Sequence, residues 1–193
     1  MITHIQGKLV EKNPTDVVID CNGIGYLLNI SLHTFSQISD SENLKLYAHL
    51  QVKEDSHTLY GFSSLAEREI FRLLISVSGI GSSIARTMLS SLTPKQVREG
   101  IATSDVALIQ SIKGIGAKTA QRVIIDLKDK VLKIYDIDEV SVSQNNTSKD
   151  EALSALEVLG FVKKQAERAV DKIIMSQPDA NVETIIKLAL KNL

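Results

Sequence analysis

A chain of 193 residues, 44% apolar and 23% charged, has room for one to three small domains of ordinary globular composition. No apolar run approaches the roughly 20 residues of a membrane-spanning helix, Met1–Lys8 lacks the basic-then-apolar pattern of a signal peptide, and the lone Cys21 excludes an intrachain disulfide, so a cytoplasmic protein without membrane contact is expected. The net charge of −1 argues against a uniformly basic nucleic-acid coat, yet residues 64–131 carry 10 Lys+Arg against 6 Asp+Glu, while residues 1–63 carry 4 against 7 and residues 132–193 carry 8 against 10.

Residues 1–63 read as β. Strand-like runs fall at 2–10, 17–21, 26–30, 44–52 and 59–62, punctuated by Asn13-Pro14-Thr15-Asp16 and Asn22-Gly23-Ile24-Gly25. Five or six short strands predict a small all-β barrel of the OB type, although an SH3-like barrel has a similar pattern. Cys21 lies in an apolar run and is expected to be a buried, inert thiol. Lys53-Glu54-Asp55-Ser56-His57 separates the last two strands. It reads either as a solvated hairpin tip or as a carboxylate pair that repels phosphates; a metal site lacks a third ligand at useful spacing.

From residue 64 to 134 the pattern turns helical, predicting an all-α domain. Ile70, Phe71, Leu73, Leu74 and Val77 form an apolar stripe that runs into Gly79-Ile80-Gly81; Ile84, Ala85, Met88, Leu89 and Leu92 form the stripe that follows. Thr93-Pro94-Lys95-Gln96 is a helix start with the makings of a capping box, and Ser104-Asp105 opens a short helix. Gly114-Ile115-Gly116 then leads into a helix carrying Ala120, Val123, Ile124, Leu127 and Val131.

Residues 135–149 are polar and predict a flexible linker. Residues 150–193 predict a three-helix bundle, with apolar faces at Ala152/Ala155/Leu156/Leu159, Ala166/Ala169/Val170/Ile173/Ile174 and Val182/Ile185/Ile186/Ala189, and Gly160 as a helix cap. Leu153, Phe161, Leu188 and Leu190 exceed the minimal stripes, and either fill the core or form a docking face.

The two Gly-Ile-Gly turns stand 35 residues apart and mark a duplicated unit. Each places glycines before a helix N-terminus, where free N–H groups and the helix dipole favour an anion. Gly79 and Gly81 form one such phosphate seat with Ser82 and Ser83; Gly114, Gly116 and Ala117 form the other with Lys118 and, at i+4, Arg122. Arg86 is the nearest cation after the first turn, so that seat is expected to be the weaker. The pattern matches the helix-hairpin-helix motif, in which Ile80 and Ile115 pack inward and backbone amides grip phosphates without reading bases. No Walker lysine, Ser-His-Asp grouping or Cys/His zinc set is present, so no catalytic residue, metal site or cofactor is expected. A nuclease or glycosylase using Glu54, Asp55 or Asp126 is the competing reading.

The order of barrel, paired hairpins, polar linker and three-helix tail resembles the RuvA family, the DNA-binding subunits of the Holliday junction branch migration complex. Tyr60-Gly61-Phe62, Gly79-Ile80-Gly81, the run from Gly114 to Arg122 and Leu156–Phe161 carry the resemblance. It implies a homotetramer with the barrels at its centre, holding a four-way DNA junction open and square, with a second tetramer allowed on the other face. It implies that Glu54 and Asp55 are an acidic pin near the crossover. Leu153, Leu156 and Phe161 become candidates for docking the hexameric ATPase motor RuvB, which itself uses ATP and Mg; the resolvase RuvC is a further candidate partner. Ser83 stands where the family commonly has a basic residue.

Overall fold

The computed structural model describes residues 2–39, 42–132, 148–177 and 180–192. The chain divides into two compact units, Met1–Asp138 and Glu139–Leu193.

In the first unit, β1 (His4–Lys12), β2 (Asp16–Cys21), β3 (Ile24–Asn29), β4 (Asn43–Val52) and β5 (His57–Phe62) close a barrel in the order β1-β2-β3-β5-β4. All pairings are antiparallel except β3 with β5. This is a five-stranded OB-type barrel. Asn22 and Gly23, at φ of 56° and 89°, make the two-residue turn between β2 and β3. Gly7 permits the close approach of β1 to β2: a Cβ there would lie 2.0 Å from the Asp20 carbonyl oxygen. Val17, Ile19, Leu28, Leu46 and Ala48 fill the interior. Cys21 is half-buried, and its thiol donates to the Gln6 carbonyl at 3.2 Å.

A short helix, α1 (Leu32–Gln37), interrupts the expected all-β run. Ser31 caps it by accepting from the Thr34 amide. Six residues with a mixed pattern carry too little helical periodicity to stand out in the sequence.

The helical part follows as α2 (Leu65–Ile75), α3 (Ser82–Ser91), α4 (Pro94–Ala102), α5 (Val106–Gln110) and α6 (Ala117–Leu132). Thr93 and Gln96 form the expected reciprocal capping box, and Asp105 caps α5. The Tyr60-Gly61-Phe62 phrase joins the two layers. Tyr60 and Phe62 pack on Phe71 of α2 at ring-centroid separations of 5.0 and 4.9 Å. Gly61 faces the other way, where a Cβ would come within 3.0 Å of Leu46 and 3.1 Å of Leu28 in the barrel core. Alternation along one strand therefore serves two cores.

Glu67, fully buried on α2, strengthens this junction. Its carboxylate accepts from Ser31 Oγ (2.5 Å), Thr34 Oγ1 (2.6 Å), the Ser63 amide (3.2 Å) and Ser63 Oγ (3.1 Å). Four donors offset the large penalty of burying a carboxylate. Nearby, His49 packs edge-on to Phe71 at 5.5 Å, and its buried Nδ1 has no hydrogen-bond partner.

In the second unit, α7 (Ser148–Val158), α8 (Lys163–Ser176) and α9 (Val182–Asn192) pack around Ala152, Leu156, Ala166, Val170, Ile185 and Ala189. Gly160, at φ +94°, ends α7; its amide donates to Glu157 O and the Phe161 amide to Leu156 O. Leu159, expected on the core face, is 58% exposed, because α7 stops at Val158 and the chain turns away. Most of the stretch expected to be a flexible linker, residues 135–147 of 135–149, lies outside the described residues, as do residues 133 and 134. Ser148 and Lys149, assigned to it by composition, belong to α7.

Candidate nucleic-acid interface

The two Gly-Ile-Gly turns adopt matching geometry. Gly79 and Gly114 have φ of +96° and +95°, in the left-handed region that favours glycine. Ile80 and Ile115 are buried, and the amide of each closes its turn onto the carbonyl three residues back, Val77 and Ile112. At Gly81 and Gly116 a Cβ would meet nothing within 4 Å, so both positions open to solvent. Gly81 is the N-cap of α3 and offers no side-chain cap. The first-turn N–H groups of α3 and α6 are thus left for an external acceptor.

The turns also interlock. A Cβ on Gly79 would lie 3.9 Å from Thr119 of the second hairpin, and one on Gly114 would lie 3.8 Å from Ile84 of the first. Positions 84 and 119 share the 35-residue offset of the two turns. Each left-handed glycine therefore faces the equivalent residue of its partner's helix. The duplication visible in sequence is a reciprocal, two-fold packing of the hairpins in space.

The side chains around the two seats differ more than their sequence suggests. Ser82 Oγ is committed to the barrel: it accepts from Tyr60 OH at 2.9 Å and donates to Gln51 Oε1 at 2.9 Å. Arg86 is committed as well, donating to Asn29 Oδ1 at 2.8 Å and Thr15 O at 3.2 Å. Ser83 alone of these three is exposed beside the first seat. Gly116, Ala117, Lys118 and Arg122 are all exposed at the second. Arg122 reaches across to donate to Ser78 O, in the first turn, at 3.3 Å. A cation on the second helix thereby lies beside the first seat, whose own arginine is occupied.

Glu54 and Asp55 sit at the exposed tip between β4 and β5, where the Lys53 amide donates to Ser56 O and Ser56 Oγ to Asp55 Oδ1. His57 is the first residue of β5. Among the described residues no group of three or more His, Cys, Asp or Glu is placed to hold a metal ion. Asp126 is exposed on α6. No helix among them is long and apolar enough to cross a membrane.

In the C-terminal unit, Leu156 is fully buried, so its side chain presents no surface to a partner and fills the core instead. Leu153 and Phe161 are partly buried against that core. Exposed apolar side chains stand near them in sequence, at Val158 (85% exposed), Leu159 and Val162 (63%), and Met175 on α8 is as exposed as Val158. Of Val158, Leu159 and Val162, only Leu159 lies on the helical stripe of Ala152, Ala155 and Leu156.

Comparison with known proteins covers nearly the whole chain. Residues 1–61 match the RuvA N terminal domain, residues 71–129 the SAM-like helix-hairpin-helix tandem, and residues 148–193 the RuvA C-terminal domain. The chain is 68% identical, over the full length of both proteins, to the Holliday junction branch migration complex subunit RuvA of Flavobacterium psychrophilum. It is 49% identical to the subunit of the same name from Cytophaga hutchinsonii over 99% of each chain, and 46% identical to that of Bacteroides thetaiotaomicron over the full length of both. With family models matching the barrel, the paired hairpins and the three-helix unit in turn, and full-length relatives at 46–68% identity, the chain belongs to the RuvA family.

Proposed function

We propose that this chain is the noncatalytic, DNA-binding subunit of a branch migration complex, binding four-way junctions by structure rather than sequence. The carrying observation is the reciprocal pair Gly79–Thr119 and Gly114–Ile84, which packs together the two hairpins that carry the amide-rich anion seats, in the only basic segment. Such contacts grip phosphates and are blind to base identity. The seats comprise Gly79, Gly81 and Ser83 on one side and Gly114, Gly116, Ala117, Lys118 and Arg122 on the other. Glu54 and Asp55 act as the pin. Their charges disfavour duplex at the crossover, where several copies converge.

In this reading residues 1–63 are the barrel and assembly core, 64–134 the DNA grip, 135–149 a tether and 150–193 the motor-docking module. Four copies assemble around the junction, in the cytoplasm, with a second tetramer or the resolvase RuvC on the free DNA face. Leu153 and Phe161, with the exposed Val158, Leu159 and Val162, form the apolar surface for RuvB. ATP and Mg serve that motor, and this chain carries no cofactor of its own.

The deciding experiment is a gel shift at fixed salt with a four-way junction and a linear duplex of the same arm sequences. The junction is expected to bind more tightly whatever the sequence; equal affinity overturns the reading. Glu54→Gln with Asp55→Asn is expected to raise duplex affinity and narrow the preference. Native mass measurement with and without junction DNA tests the tetramer.

A further inference from the structure

We infer that the first hairpin is the fixed reference of the DNA grip, and that Gln51 and Tyr60 are positioning residues for junction selection, holding the acidic tip in place relative to the first phosphate seat. The inference rests on the junction-binding reading above and adds the element that would register its two halves.

Helix α3 lays one polar edge along the barrel. Ser82, Arg86 and Ser90 recur at every fourth residue and so share a face. Ser82 accepts from Tyr60 OH and donates to Gln51 Oε1, both at 2.9 Å. One turn on, Arg86 holds Asn29 and Thr15. A further turn on, Ser90 Oγ accepts from the Leu32 amide at 3.1 Å. The duplicated helix has no such seam: Ala117, Gln121 and Ile125, 35 residues later, are all exposed, Ile125 by 79%. One seat is thus bolted to the barrel by side-chain hydrogen bonds, and the other, packed on the shared helical core, has no such seam among the described residues.

The bolt is placed at a telling point. Ser82 opens α3 and lies among the amides of the first seat. Gln51 and Tyr60 belong to β4 and β5, the two strands whose connecting tip carries Glu54 and Asp55. Gln51 is three residues from Glu54, a reach of about 10 Å of extended chain. With its only hydrogen given to Gln51 and a lone pair taken by Tyr60, the Ser82 hydroxyl is fixed in rotation and has no hydrogen left for a phosphate. A phosphate bound at the first seat therefore stands at a set position relative to the pin. Junction selection needs that register, because the pin must meet the crossover while the arm lies in the grip; binding a lone duplex needs no such register.

The test is the full chain carrying Gln51→Leu and Tyr60→Phe, which removes both hydrogen bonds and keeps the Tyr60 ring on Phe71. Duplex affinity is expected to stay within about twofold, while the ratio of junction to duplex affinity falls about fivefold, the lower end of the scale for two lost hydrogen bonds. An unchanged ratio overturns the inference. So does an equal weakening on both DNAs, since the seam would then merely shape the seat. A wild-type chain without junction preference overturns the underlying reading instead. The seam is then judged by hydrogen exchange on DNA-free protein: faster exchange at residues 53–57 in the variant, with residues 148–192 unaffected, supports it, and unchanged exchange overturns it.

Discussion

Arg122, on the helix that follows the second hairpin, donates to the carbonyl of Ser78 in the first. The contact crosses the axis relating the two turns, and it has no counterpart in the other direction: the position equivalent to Arg122 is Thr87, whose hydroxyl donates to Ser83 O in its own helix, and the neighbouring Arg86 is turned onto the barrel. The pair of seats therefore shares one mobile-length cation from one side, and the first seat borrows charge that its own helix does not supply.

Replacing Arg122 with alanine is expected to weaken both duplex and junction binding by about tenfold or more at low salt, and to reduce the slope of log affinity against log salt by about 0.9 for each subunit in contact with the DNA. Lysine at this position should restore most of the slope but not the Ser78 bond. An unchanged slope for the alanine variant would show that Arg122 neutralises no phosphate.

The four motif glycines should separate into two classes. Gly79→Ala and Gly114→Ala place a Cβ on a left-handed backbone and are expected to destabilise the fold by about 1–2 kcal/mol. Gly81→Ala and Gly116→Ala have open space and should leave the melting temperature unchanged while weakening DNA binding, because the methyl group intrudes where the phosphate approaches. Thermal melts paired with gel shifts on the four variants check this; a loss of stability at Gly81 or Gly116 would contradict it.

Glu67→Ala would strand the hydroxyls of Ser31, Thr34 and Ser63 beneath α2. A loss of roughly 2–4 kcal/mol is expected, on the scale of a few buried groups losing a charged partner. Glu67→Gln keeps one accepting oxygen and should fall between. Urea unfolding with a common slope measures the series.

His49 gives the fold a pH dependence. Burial, aided by Arg72 and Arg68 and opposed by Glu69, holds its pKa below the ordinary 6.5. The unfolded chain takes up this proton first as pH falls, so the stability from keeping His49 neutral is complete above about pH 6.5 and declines as pH drops from there toward the folded-state pKa. Unfolding followed between pH 7 and pH 5 should show a shallower decline for His49→Gln than for wild type. Parallel profiles would assign the pH dependence to other groups.

The Gly-Ile-Gly repeat was legible in sequence because its physics is local: a left-handed glycine, an inward isoleucine and an uncapped helix start lie within a few residues. The capping box at Thr93 and the Gly160 helix end were legible for the same reason. The barrel followed from its strand runs and turns. What escaped was non-local. Ser82 reads as a phosphate contact until Gln51, 31 residues away, and Tyr60, 22 away, are found on its hydroxyl. Arg86 reads as a free cation until Asn29, 57 residues away, occupies it. Leu156 and Leu159 lie on one helical stripe, but the end of α7 falls between them, leaving one in the core and the other in water.

The alternation of Tyr60, Gly61 and Phe62 has a consequence for how the first unit comes apart. A strand that lends side chains to two interiors cannot leave one without emptying part of the other, and a slip of one residue would drive two aromatic rings into the space that Gly61 keeps clear. The border near residue 63 is therefore a division of architecture and not of stability. Barrel and hairpins should melt in a single transition, and neither should outlive the other when the chain is cut between them.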